Sequence, residues 1–174
     1  VNFRVINAFI PIFWTRELGT SPEQGSFALT VFFSIGIFMT YIGGLLGDKF
    51  GPIKIIRLSL LVWLPAMFLL TEVPNFAPYI MLPIAYLLLL IIGAAKAISY
   101  SPVIVLGQTY LAKSIGFASG ITLGVSQTIG GVIAPVVGNL ADTYSLPVAM
   151  MTLVPFLIGG LGASLLLKDP KKLQ

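Results

Sequence analysis

Long apolar stretches recur along the chain, at about residues 1–15, 24–46, 53–71, 79–103, 117–140 and 146–167, and short polar connections separate them. A helix needs on the order of 20 apolar residues to cross a hydrocarbon core of about 30 Å. The pattern therefore predicts an all-α, polytopic membrane protein with six transmembrane helices and no soluble domain. The first segment falls short, since fourteen residues from Val1 to Trp14 give about 21 Å of helix at 1.5 Å per residue. With no methionine at the start and no charged leader before a cleavage site, the expectation is a helix cut within a longer polypeptide.

Composition agrees with that pattern and narrows the chemistry. Of the 174 residues, 57% are hydrophobic and only 9% charged, and the mean hydropathy is +1.00, against roughly 25% charged residues in a soluble domain. The absence of cysteine and histidine excludes disulfides, thiol nucleophiles and imidazole metal sites from these residues, so neither a metal nor a cofactor is expected. A sequence pI near 9.5 could point to nucleic acid, but the placement of the charges gives a different reason for it. Sorted alternately, the connections on one side collect Lys49, Lys54, Arg57, Lys113, Lys168, Lys171 and Lys172 against Asp48 and Asp169. The other side collects Arg16 against Glu17, Glu23, Glu72 and Asp142, a balance of +5 against −3. Cytoplasmic connections carry the lysine and arginine excess, which predicts a cell (inner) membrane protein with both ends of the segment in the cytosol. Trp14, Tyr79 and Tyr144 fall at predicted outer ends and Tyr110 near an inner one, where amphipathic rings favour the interface.

The chain also echoes itself. An offset of 94 sets "SIGIFMTYIGGLLGDKFG" (34–51) over "TIGGVIAPVVGNLADTYS" (128–145), so that Gly44 meets Gly138 and Asp48 meets Asp142. The shift moves the second span onto the fifth, three crossings later, and places the two aspartates at opposite membrane faces. Inverted repeats of this kind, here about 1–78 and 79–174, typify secondary transporters with a site at the repeat interface.

"GGLLGDKFGPIK" (43–54) resembles the loop signature of the major facilitator superfamily, with Gly44, Leu46, Asp48, Lys49 and Gly51 in place. Pro52 and Ile53 stand where two basic residues usually follow. The stretch "VLGQTYLAKSIGFASGITLGVSQTIGGVIAPVVGNLAD" (105–142) resembles more narrowly the fosmidomycin resistance protein branch, with Ala112 in place of a proline. The resemblance implies that the segment is the C-terminal six-helix half of a twelve-helix transporter, with the N-terminal half absent here and serving as partner. It further implies that Asp48 touches neighbouring helix ends in one access state and not in the other, where uncompensated helix N-termini carry partial positive charge. A plain reading remains beside it, in which Asp48 and Lys49 form a solvated turn punctuated by Gly51 and Pro52.

Polar side chains inside the spans predict which helices meet water. The first has Asn2, Arg4 and Asn7; the second Ser26, Thr30, Ser34, Thr40 and Tyr41; the fourth Lys96, Ser99, Tyr100 and Ser101; and Gln127 is the large polar residue within the fifth. The third and sixth have little beyond Ser59, Trp63 and Thr152. Spans one, two, four and five are thus expected to line a cavity, with Arg4, Asn7, Lys96, Ser99, Tyr100 and Gln127 as substrate-facing candidates. Small residues at Thr122, Ser126, Gly130, Ala134 and Gly138, and again at Gly116, Gly120 and Gly124, predict a packing spine in the fifth span. Arg4 and Lys96 carry the most chemistry, because a cation at mid-bilayer is costly and usually faces protein or water. No span interior offers an acid to pair with them, which leaves the missing half, a bound anion, or snorkelling.

These features predict a secondary active transporter, an exporter of a small organic compound or antibiotic, with an anionic one among the options, working by alternating access. Its partners would be the lipid bilayer, the substrate and, as one option for coupling, protons; no nucleic acid is called for. The alternative is an oligomeric six-helix channel or a self-pairing half-size carrier. Enzyme activity is not expected: a serine intramembrane protease would want a histidine, and Asp48 and Asp142 are predicted too far apart to share a site as an aspartyl pair does.

Overall fold

The structure is a computed structural model that describes the backbone of residues 2–167 and the side chains of residues 5–167. It is a bundle of helices throughout: α1 (Asn2–Arg16), α2 (Pro22–Phe50), α3 (Pro52–Glu72), α4 (Pro78–Tyr110), α5 (Ile115–Gly120), α6 (Ser126–Thr143), α7 (Leu146–Met151) and α8 (Leu153–Leu166). A π-helical turn, Ile121–Val125, joins α5 to α6, so that Ala112–Thr143 forms one long fifth span. Thr152 separates α7 from α8 within the sixth span, Leu146–Leu166. Five of these units are long and apolar enough to cross a membrane, and α1 adds fifteen residues beside them.

Helix ends follow local chemistry. Ser21 caps α2, its hydroxyl accepting from the Gln24 amide, and Ser145 does the same for α7 through the Val148 amide, each satisfying one of the unpaired first-turn donors. Proline opens α2, α3 and α4, where its missing N–H is no loss. Between α2 and α3 stands Gly51 alone, at φ +93°, a conformation that costs a residue with a Cβ. Asp48 and Lys49 therefore lie in the last turn of α2 and not in a turn between spans. Their charges imitate a loop, but the helix continues until Gly51 breaks it and Pro52 starts the next. Gly44 lies inside the same helix.

The core gathers around α1. Val5, Ile10, Phe13 and Trp14 are fully buried with Phe32 of α2, Met67 and Leu70 of α3, Leu89 and Ile92 of α4, and Met150 and Leu153 of the sixth span. Trp14 is accordingly a core residue, edge-on to Tyr86 at 5.4 Å, and not the interface anchor expected from its position. Tyr79 and Tyr144 are strongly exposed.

Close helix contact depends on small residues, as expected where lipid offers little hydrophobic drive for association. The "GGLLG" stretch is the contact strip of α2 on α4. A Cβ on Gly43 would run into the Ile98 backbone, one on Gly44 would meet the Ser101 hydroxyl at 3.3 Å, and one on Gly47 would meet the Pro102 ring at 3.1 Å. In the opposite sense, Gly93 of α4 receives Phe32 and Ile35 of α2. The pairs climb together, which makes α2 and α4 parallel. In the fifth span Gly107 of α4 faces Thr122, and Gly138 faces the Phe9 ring at 3.8 Å. The row Gly116, Gly120 and Gly124, expected to pack, faces open space. α2 and the fifth span are the least buried of the membrane-length units, so that this side of the bundle is open.

Polar ties join distant parts of the chain, among them that of Tyr86, whose hydroxyl donates to the Gln24 carbonyl at 3.4 Å. The Arg57 guanidinium donates to the Ser164 carbonyl at 2.7 and 3.1 Å and to the Leu165 carbonyl at 3.4 Å, binding the start of α3 to the end of α8. At the other end Arg16 approaches Asp142 at 3.8 Å, with both side chains largely exposed. α2 starts beside Arg16 and runs 29 residues, about 43 Å, before its end, so Asp48 and Asp142 lie at opposite ends of the bundle.

Candidate functional site

Lys96 sits past the middle of α4, a 33-residue helix about 50 Å long. Its neighbours on the helix, Ala95 and Ala97, are buried, while Lys96 itself is half-buried and its ammonium lies 5.7 Å from the centre of the Phe32 ring. A cation over an aromatic face is attracted by the ring quadrupole, and Phe32 is held in place by the close approach of α2 to Gly93 described above.

From this point a cavity of about 430 Å³ opens between α2, α4 and the fifth span. Phe33, Ile37 and Thr40 line it from α2, Lys96 and Tyr100 from α4, and Ser126 and Gln127 from α6. A second lobe of about 190 Å³ shares Lys96, Tyr100, Leu123 and Ser126 with the first and reaches Ser99, Thr122 and Trp63 of α3. The two lobes make one chamber with an apolar wall and a few polar groups, the ordinary character of a small-molecule site. None of the described residues that line either lobe is acidic.

The π turn sets the far wall. Its wider turn shifts the register between α5 and α6, and such turns recur at functional sites. Thr122 is pressed against Gly107, and the Gln108 amide donates to the Ser119 hydroxyl at 2.9 Å. These contacts dock α5 and the π turn on α4 and leave Leu123, Ser126 and Gln127 facing the chamber. Several hydroxyls turn to their own helices, Ser99 to the Lys96 carbonyl at 2.9 Å, Ser126 to the Leu123 carbonyl at 2.9 Å and Thr40 to the Gly36 carbonyl at 2.8 Å.

Of the six substrate-facing candidates, Lys96, Ser99, Tyr100 and Gln127 come together here. Asn7 lies in α1 away from both lobes, with its Oδ1 buried and without a hydrogen-bond partner. The side chain of Arg4 lies outside the described residues. Among the described residues, α1 contributes none to the lining of these lobes, because its apolar faces are taken up by the core. Trp63, placed by sequence on a helix turned away from water, is part of the wall, and Leu123, Phe33 and Ile37 are apolar residues that no polar pattern could single out. Asp48 is exposed at the end of α2 and borders a narrow cleft of about 30 Å³ with Gly44, Gly47, Pro52, Ser101, Pro102 and Val105. Lys49 holds its ammonium 5.2 Å from the Phe50 ring centre. Asp142 pairs with Arg16, and Gly138 packs on α1. These turn residues stand apart from the chamber.

Comparison with known proteins places this architecture. The chain is 31% identical over 151 residues to the uncharacterized MFS-type transporter YfnC of Bacillus subtilis (strain 168), covering 87% of this chain and 35% of that protein. It is 30% identical over 141 residues to the fosmidomycin resistance protein of Escherichia coli (strain K12), covering 81% of this chain and 33% of that protein. It thus spans about a third of the length of the curated relatives it matches. No solved structure gives a significant match. The family model of the Major Facilitator Superfamily matches residues 1–174, and the chain, a multi-pass membrane protein, belongs to that family of transporters.

Proposed function

We propose that the chain is the C-terminal six-helix half of a secondary active exporter, and that its chamber takes a small organic anion. The observation that carries this reading is the joining of Lys96, Tyr100 and Gln127 in one apolar-walled cavity with no carboxylate among the described residues of its lining. A fixed cation in a low-dielectric wall favours an anion far more than it would in water. The relative whose name is fosmidomycin resistance protein supports efflux and an anionic cargo. The open side of α2 and the fifth span is where the N-terminal half would sit, leaving the substrate between the two. Lysine and arginine placement supports a cytosolic location for the Asp48 end in the cell membrane. Protons are the coupling ion of this proposal, exchanged on groups of the complete transporter.

The inverted-repeat reading, 1–78 and 79–174, draws support from paired contacts. Gly44 of α2 packs on α4 and its repeat mate Gly138 packs on α1. Gly25 of α2 packs on Pro11 of α1, and the repeat mate of Gly25, Ser119, is hydrogen-bonded to Gln108 of α4. Exchange of the two three-helix units interchanges α1 with α4 and α2 with the fifth span, and these contacts follow that exchange. Rocking of two halves about such a site is the usual means of alternating access.

The test is transport by the full-length protein in proteoliposomes, with fosmidomycin as the probe. Lys96→Gln is expected to abolish uptake and Lys96→Arg to retain part of it, with both variants reaching the membrane in normal amount. Wild-type rates in Lys96→Gln would remove the anion role.

A further inference from the structure

Along α2 the residues that touch neighbouring helices fall on one strip. Gly25 meets Pro11 of α1, Phe32 and Ile35 lie against Gly93 of α4, and further along Gly43 and Gly47 lie against Ile98 and Pro102. At 3.6 residues per turn, Gly36 falls within about 40° of Phe32, Gly43 and Gly47 around the helix axis, so a side chain there would be directed to α4 with theirs. Yet nothing lies within 4 Å of a Cβ placed on Gly36, whereas one on Gly43 would run into the Ile98 backbone. The two helices therefore touch before and after Gly36 and part beside it. That gap belongs to the chamber: Gly36 lines the larger lobe with Phe33, Ile37 and Thr40 of its own helix and with Lys96 and Ala97 of α4. The Lys96 ammonium stands 5.7 Å from the ring centre of Phe32, the residue one turn before Gly36, so the charge and the gap belong to adjacent turns of α2.

On the anion-transport reading above, we infer that Gly36 is a specificity-determining residue: the recess left by its missing side chain receives the carbon skeleton of an anion whose charged group is held at Lys96, and so lets the chamber take ring-bearing or branched anions. The walls around the recess are suited to such a skeleton, since Phe33, Ile37 and Ala97 are apolar and apolar linings supply most of the contact in small-molecule sites. A side chain at position 36 would occupy the volume that the skeleton needs and leave the ammonium of Lys96 in place. Affinity for the charge and selectivity for size are thus set by different residues on two facing helices.

Methylphosphonate and phenylphosphonate, which share the charged group and differ in bulk, test the assignment by titration calorimetry on the purified full-length transporter. Wild type is expected to bind phenylphosphonate the more tightly, because the ring adds apolar surface to bury. Gly36→Ala is expected to lower the phenyl-to-methyl affinity ratio by about tenfold, the discrimination that one methylene exerts in a fitted pocket, and Gly36→Leu is expected to lower it further. Thermal unfolding of Gly36→Ala at or above the wild-type temperature, with methylphosphonate still bound, shows that the change is one of shape and not of folding. A ratio that keeps its wild-type value in both variants overturns the size role and leaves the anion reading standing. If Lys96→Gln binds both phosphonates as wild type does while the Gly36 variants lose the ratio, the charge role of Lys96 fails and the recess stands. If neither phosphonate binds wild type, both are overturned.

Discussion

The guanidinium of Arg57 grips the carbonyl of Ser164 with two N–H groups, at 2.7 and 3.1 Å. The last carbonyls of a helix have no partner within it, and a basic side chain placed there also meets the negative end of the helix dipole. Arg57 therefore closes α8 and fastens it to α3 with one planar group.

Replacing that group should loosen a specific place. Arg57→Ala is expected to cost about 1.5–3 kcal/mol, the range for a hydrogen bond to a charged group, and to raise amide hydrogen exchange in the last turn of α8 above that of α4. Arg57→Lys should recover part of the protection, since an ammonium keeps the charge but lacks the rigid fork that places two N–H groups on one carbonyl. Equal exchange in the alanine variant and wild type would show that the cap carries no weight.

Gly43 gives a sharper test of packing. Its missing side chain is where the Ile98 backbone passes, so Gly43→Ala must push α2 from α4. Overpacking of this kind costs about 1–3 kcal/mol, and the displacement would also widen the chamber at Phe32 and Lys96. Gly36 lies on the same helix with nothing near its Cβ position, and Gly36→Ala should hold or gain stability, helix propensity favouring alanine by about 1 kcal/mol. Thermal unfolding of the two variants in detergent should separate them in that order.

What sequence made legible follows from what needs no neighbour to be read. Six apolar runs showed themselves because length and hydropathy are local. Lys96 stood out because an ammonium within an apolar helix has few places to go. Helix ends were harder: Asp48 and Lys49 have loop-like charge, but the backbone at Gly51 decides where α2 stops. The π turn at Ile121–Val125 gave no signal in residue type, since it depends on how Thr122 meets Gly107. Trp14 is in the core and not at the interface because nearness to a helix end says nothing of which way the helix faces. Asn7 likewise shares α1 with five strongly buried apolar residues that fix the helix in the core. Trp63 gives no sign in sequence because a single tryptophan in an apolar helix has no pattern, and only the turn of α3 toward α4 brings it to the lobe.

The opposite placement of Asp48 and Asp142 can be read from outside the membrane. The segment contains no cysteine, so Asp48→Cys and Asp142→Cys, each in a full-length protein freed of other cysteines, report their compartment by reaction with a membrane-impermeant maleimide. Loss of the Arg16–Asp142 pair should leave the fold in place, because both side chains are largely exposed and such pairs contribute about 0–1 kcal/mol. In intact cells residue 142 is expected to react and residue 48 to react only after lysis. Labelling of both from one side would contradict the bundle and the repeat together.

The open glycines of the fifth span bear on how the halves meet. Gly120 and Gly124 border a shallow groove with Phe117, Ile121, Val125, Thr128 and Ile129, and a Cβ at either would touch nothing. Gly162 of α8 is equally unobstructed, but α8 packs on α3, away from the chamber's opening. If the N-terminal half rests against the fifth span, small residues there permit the close approach that helices in lipid use, and a larger side chain would hold the halves apart. Gly124→Leu is then expected to lower proteoliposome transport by about tenfold or more, the equivalent of little over 1 kcal/mol in the critical step. Gly162→Leu, facing lipid, should transport as wild type does. Both should be present in the membrane in equal amount, since neither meets an obstacle within this bundle. Normal transport by Gly124→Leu would move the contact between halves to another face, with α2 the remaining open helix.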